Sequence, residues 1–152
     1  MDSRNLIQSI EENFHQYYHL LNNIETEAIG NSPAETSQLR GLLLTSASIQ
    51  DEVLEYRLRK ILEEEHPYIP QIQVHSLNRK RYDRLSIGQL CDAFLKQRKE
   101  LVKMLYALPK LDWDRTGLHE LEGHITFKEL VKRISEKDKE TLASLNRLIP
   151  AE

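Results

Sequence analysis

The sequence predicts an all-α domain, a four-helix bundle with a long crossover connection. Four long stretches place apolar residues at three-to-four spacing, the period of one helix face. Glycine and proline fall almost entirely between those stretches, where they end helices rather than interrupt them. No stretch of comparable strength alternates apolar and polar residues as a strand would. At 152 residues the chain has the size of one domain, spanning 1–152, which can bury a core without a disulfide or metal staple.

The first helix is expected from about Asp2 to Thr26. Leu6, Ile7, Ile10, Phe14, Tyr17, Leu20, Leu21 and Ile24 make its apolar face, and Gly30-Asn31 supplies a left-handed stop. Ser32-Pro33-Ala34-Glu35 then starts the second helix. Serine accepts a free N–H, proline presets φ, and the glutamate reaches back. This helix should run to about Glu65, where His66-Pro67 ends it, because the residue before proline avoids the helical region. It carries two apolar rows, Leu39, Leu42, Ile49, Val53, Tyr56 and Leu44, Ala47, Leu54, Leu58, Ile61, so it belongs at the centre of the bundle.

Residues 67–84 form a long connection with two prolines and the basic run Arg79-Lys80-Arg81, a solvated charge face or an anion site. The third helix opens at Ser86-Ile87-Gly88-Gln89, a capping-box pattern, and ends near Leu108. Its stripe is Ile87, Leu90, Cys91, Phe94, Leu101, Leu105 and Leu108. A loop over 109–125 holds the single tryptophan, Trp113. The fourth helix opens at Thr126-Phe127-Lys128-Glu129 and runs to about Ile149, with Pro150 closing it.

Charged residues make up 30% of the chain, both signs interspersed, and the net charge is −3. A nucleic-acid surface or a polybasic membrane patch needs a clustered basic excess, so neither is expected. The amino-terminal stretch lacks the apolar core of a signal peptide, and no apolar run approaches the roughly 18 residues of a membrane span. A lone cysteine permits no internal disulfide and fits a reducing, cytoplasmic setting. On an apolar stripe, Cys91 reads as a small buried hydrophobe rather than a nucleophile.

The stripes share a defect. Asp138 and Thr141 interrupt the fourth helix, Gln97 and Arg98 the third, Ser46 and Gln50 the second, with Arg57 farther along. A buried charge is costly unless paired, so Asp138 should meet a cation or face a wet pocket, with Arg98 and Arg57 as its candidate partners. Such a layer is either a ligand pocket inside the bundle or an ion pair that fixes helix register.

The stretch Asp112-Trp113-Asp114-Arg115-Thr116-Gly117-Leu118-His119, followed by Gly123-His124-Ile125-Thr126-Phe127-Lys128-Glu129-Leu130, resembles the DinB/YfiT-like superfamily. Glu55-Tyr56-Arg57-Leu58-Arg59 resembles the arginine-rich stretch of that family's second helix, and Phe94 with Arg98 its next long helix. The resemblance covers about residues 35 to 149. It implies a four-helix bundle with a long crossover, often homodimeric. It also implies a divalent metal on three histidines, one on the second helix and two on the last.

All three ligand positions differ here. They hold Ser48, Lys137 and Thr141, and only the aspartate of the last pair, Asp138, matches. Hydroxyls bind such metals poorly and an ammonium repels them. No cofactor is therefore expected. His119, Glu120, Glu122 and His124 offer a displaced metal site in the loop, with His66 and His75 flanking the crossover. His119 and Arg115 otherwise serve as hydrogen-bonding residues that hold the loop at the pocket edge. His15 and His19, four apart, lie on a solvated helix face.

The function expected is that of a metal-free, non-catalytic binding or accessory bundle, a homodimer. The alternatives are a metal-dependent thiol transferase or hydrolase with a displaced site, or a small-ligand or anion binder. The last would use a pocket of Arg57, Arg98, Asp138, Arg115 and His119, with Lys137 beside them.

Overall fold

The computed structural model describes residues 2–22, 24, 33–73, 77 and 79–149, with backbone alone at 54 and 55. Helix α1 spans Ser3–Leu21, where Asp2 accepts the Asn5 N–H at 2.8 Å as its cap. It stops before the expected Thr26 because Asn22 turns extended. The expected stop at Gly30-Asn31, the Ser32 cap, His75 and Pro150 lie outside the described residues.

Helix α2, Pro33–Asp51, passes through a π-helical segment, Glu52–Leu58, into α3, Arg59–Glu63. Asp51 and Leu58, at the joins, keep helical dihedrals, so the three form one continuous rod. It ends at Glu63, and His66, before Pro67, takes a left-handed φ of 45°. Helix α4, Ile87–Ala107, opens on the expected Ser86 capping box, complete in both directions. A 3-10 turn, Lys110–Asp114, precedes the hairpin described below, and α5 spans Phe127–Leu148 with the Thr126 hydroxyl as cap.

The connections contain strands that the sequence does not signal. Strand β1, Tyr68–Ile69, lies parallel to β2, Thr116–His119, which pairs antiparallel with β3, Gly123–Thr126. These strands are too short for alternation to register. A Cβ at Gly117 would stand 2.5 Å from Ile69 Cδ1 and 3.1 Å from the Pro67 carbonyl, so glycine is what lets β1 and β2 meet. Gly123 takes φ 74° at the hairpin turn. Arg115 ties the hairpin to the end of α3, its Nε donating to the Ile61 carbonyl at 2.8 Å and its Nη2 to that of Glu64 at 3.2 Å. It thereby satisfies carbonyls that a helix end leaves free.

Around the bundle the neighbours run α1, α4, α2, α5 and back to α1, so sequential helices α1 and α2 stand across from one another. The expected four-helix bundle is the one observed. Leu6, Ile10, Tyr17 and Leu21 of α1 are buried in its core. The core falls into two apolar clusters, one around Leu39, Leu90, Phe94 and Leu145, the other around Ile10, Ile61, Leu101 and Phe127. Cys91 is buried in the first, which pushes its thiol up to about 12. No helix among the described residues is long and apolar enough to cross a membrane.

Candidate functional site

A layer of polar side chains joins the two apolar clusters, and Asp138 is its hub. Asp138 follows Val131 and Ser135 on the buried face of α5 and is 3% exposed. Arg98 of α4 grips its carboxylate with both prongs, Nη1 to Oδ2 at 2.5 Å and Nη2 to Oδ1 at 3.0 Å. Two side chains of α1 complete it: the Tyr17 hydroxyl donates to Oδ1 at 2.8 Å and Asn13 Nδ2 to Oδ2 at 3.0 Å. Each oxygen therefore accepts two hydrogen bonds, which fills the four acceptor sites of a carboxylate. Burial beside this charge pushes the Tyr17 hydroxyl far above its ordinary titration range.

Arg98 is equally well met. Its Nε donates to Gln50 Oε1 at 2.7 Å, and the guanidinium lies over the rings of Tyr17 and Phe94, at 5.2 and 5.5 Å. Gln50 Nε2 donates on to the Phe94 carbonyl and to Gln97 Oε1, and Gln97 Nε2 to Asp51 and the Tyr82 hydroxyl. Burial, with Asp51 adding to it, raises Tyr82 to about 12. Arg81 of the basic run pairs with Asp51 at 3.1 Å. The network thus reaches from α1 through α5, α4 and α2 to the crossover connection.

Beside this layer the bundle opens into a cavity of about 630 Å³. Its apolar wall includes Leu42, Ile49 and Val53 from α2 and the π segment, Leu101 from α4, and Leu130 and Ile134 from α5. Its polar wall includes Arg57, Arg98, His119, Arg133, Lys137 and Asp138. That volume and a mainly apolar lining with a few convergent polar groups are what small-molecule sites have. A smaller hollow of about 340 Å³ lies between Ile7, Leu105 and Trp113, with Arg4, Gln8 and Lys110 also lining it.

Four of the five sequence-derived pocket residues, Arg57, Arg98, Asp138 and His119, line this one cavity. The fifth, Arg115, does not; its guanidinium is engaged with the carbonyls of Ile61 and Glu64. The pairing expected for Asp138 falls to Arg98 alone. Arg57 makes no bond to Asp138, and its ion-pair neighbour is Glu52, at 3.8 Å. His119 Nδ1 accepts the N–H groups of Leu121 and Glu122, at 3.1 and 3.3 Å. The lone pair is thus on Nδ1 and the proton, by this assignment, on Nε2.

Tyr17 and Asn13 are functional members of the layer that the sequence did not single out. The one signal was Asn13 itself, a polar residue between Ile10 and Tyr17 on the apolar face of α1.

The residues present do not fit a three-histidine metal centre. Lys137 and Thr141 do line the cavity, but Lys137 is an ammonium bound to Glu140 at 2.8 Å, and the Thr141 hydroxyl donates to the Lys137 carbonyl at 3.3 Å. Asp138 has no acceptor site left to give. Ser48 does not line the cavity; its hydroxyl donates to the Leu44 carbonyl at 2.8 Å. Ser46, Ile49 and Val53 hold that wall, because a helix turns about 100° per residue and Ser48 falls on another side. The loop cluster is not assembled either. His119 pairs with Gly123 and Leu118 with His124, and adjacent strand residues face opposite ways, so His119 is buried while His124 is exposed. Glu122 is taken by Arg133, which holds its carboxyl below the usual range, and Glu120 by the Gln71 N–H. Among the described residues no three of His, Cys, Asp and Glu come together in a way that would hold a metal ion. His15 and His19 are exposed on α1.

No protein-family model matches the sequence, and no curated protein does. Among solved structures the chain is similar to YfiT from Bacillus subtilis, described as a probable metal-dependent hydrolase with an unusual four-helix bundle topology. The two share 14% sequence identity at a TM-score of 0.68, over 96% of this chain and 85% of that one. The likeness shows the DinB/YfiT-like fold that the motifs around Trp113 and Thr126 implied.

Proposed function

We propose that this chain is a metal-free, non-catalytic binding protein that takes a small organic ligand into its bundle cavity. The observation that carries this reading is the saturation of Asp138. On the fold's last helix, the carboxylate that faces the cavity is spent on Arg98, Tyr17 and Asn13. The fold neighbour's described chemistry needs donors that Lys137 and Thr141 do not offer. What remains is a largely apolar hollow with a few cationic groups in its lining.

The test is titration of the protein, kept in chelator, with 1-octanol, followed by amide chemical shifts. Shifts centred on Thr45, Ile49 and Ser144 are expected, since these line the cavity. Shifts confined to other surfaces, or none, contradict the reading. A homodimer, implied by the motif resemblance, belongs to the same proposal and is checked by light scattering.

A further inference from the structure

Resting on that ligand-binding reading, we propose that Arg57 is the anchor for a carboxylate, and that the ligand is a monoanionic acid with an apolar body.

Arg57 is 5% exposed, and its Nε is the one buried side-chain nitrogen or oxygen among the described residues that has no hydrogen-bond partner. Glu52 lies at 3.8 Å, outside hydrogen-bonding distance, so it balances part of the charge and takes none of the guanidinium's directed bonds. Burial holds Arg57 below the usual arginine value, with Glu52 offsetting part of that effect. Buried polar groups are almost always satisfied, and a buried guanidinium nitrogen with no hydrogen bond is costly to keep. The cost is explained if the partner arrives with the ligand.

The neighbours set the ligand's charge. Of the other cations on the cavity wall, Arg98 is bound to Asp138, Arg133 to Glu122 and Lys137 to Glu140. Arg57 alone among them has only a distant carboxylate and a nitrogen with no hydrogen bond, which leaves one place for one negative group. A guanidinium fork matches a carboxylate in shape. The apolar lining of Leu42, Ile49, Val53, Leu101, Leu130 and Ile134 calls for a hydrocarbon body rather than more charge, which disfavours a bare phosphate. His119 lines the same cavity and adds a polar ring to it. Arg57 sits on the π-helical segment, and such insertions in helices are frequent at functional sites.

Calorimetric titration of the full chain with octanoate, 1-octanol and inorganic phosphate tests this. Octanoate should bind the unchanged protein on the order of 10- to 100-fold tighter than octanol, as one charged hydrogen-bonded pair implies. Arg57→Met and Arg57→Gln should erase that preference, octanoate then binding no tighter than octanol, while unchanged circular dichroism and urea midpoints that do not fall show that the variants fold. Equal affinity for acid and alcohol overturns the anchor while leaving the cavity reading standing. Binding of neither overturns both. Phosphate binding tighter than octanoate overturns the assigned ligand class.

Discussion

Arg98 and Asp138, on α4 and α5, meet through two parallel hydrogen bonds of 2.5 and 3.0 Å with both side chains 4% exposed. A buried pair of this kind is poor evidence for net stability, but breaking it is severe. Asp138→Ala strands a guanidinium in the core and should cost about 3–5 kcal/mol in urea unfolding. Replacing both partners, as Arg98→Met with Asp138→Leu, should cost much less than either single change. A loss within about half a kcal/mol for Asp138→Ala, the usual surface effect, would sink the buried-pair account.

Arg57 should behave in the opposite way. Its buried Nε has no hydrogen bond to lose and its ion pair with Glu52 is a loose one at 3.8 Å, so Arg57→Met should leave stability unchanged or raise it by about 1 kcal/mol. A clear drop in the urea midpoint would mean that Arg57 holds the fold rather than a ligand.

Alkali should unfold the protein through its core. The Cys91 thiol and Tyr82 hydroxyl titrate near 12 when folded, against 9.0 and 10.0 as their ordinary values, and Tyr17 is higher still. The folded state therefore holds protons that the unfolded chain releases. The favourable contribution is complete below about pH 9 and is lost as pH rises toward 12. Denaturant midpoints should fall steadily from pH 9 to 11, and Cys91→Ala should flatten the first part of that slope. Thiol-reactive dye should label native Cys91 slowly and unfolded Cys91 fast.

Gly117→Ala should destabilise by about 1–3 kcal/mol, because its Cβ meets Ile69 Cδ1 and the Pro67 carbonyl, and only the former can swing away. Ile69→Val with it should recover part of the loss; thermal melts of the single and double variants check this. Full recovery would place the whole clash on Ile69.

The helices were legible because their signals are periodic and repeated: the stripes, the Ser86 box, the Thr126 cap. The polar layer was legible as a shared break in those stripes, and Arg98 with Asp138 could be named from it. What sequence cannot supply is phase across a helix. Arg57 and Arg98 both looked like partners for Asp138, and the π segment at Glu52–Leu58, which has no residue signature, helps set where Arg57 points. Counting along the motif put the family's second-helix ligand position at Ser48, which stays off the cavity that Ser46, Ile49 and Val53 line. Arg115 and His119 share one motif, yet pairing with β1 and α3 sends one to helix carbonyls and the other to the cavity. The sheet was missed because strands of two and four residues carry too few positions to show alternation.

On the proposed function, the bundle binds its ligand without the metal that its fold neighbour's description invokes. Mass-spectrometric metal content of the untagged protein, with thermal melts in nickel, zinc, manganese and chelator, tests it most directly. The expected result is metal far below one per chain and melts that coincide in all four conditions. Metal near one per chain, with a melting point that falls in chelator, would contradict the claim and send the search for ligands back to His119, His124 and the glutamates beside them.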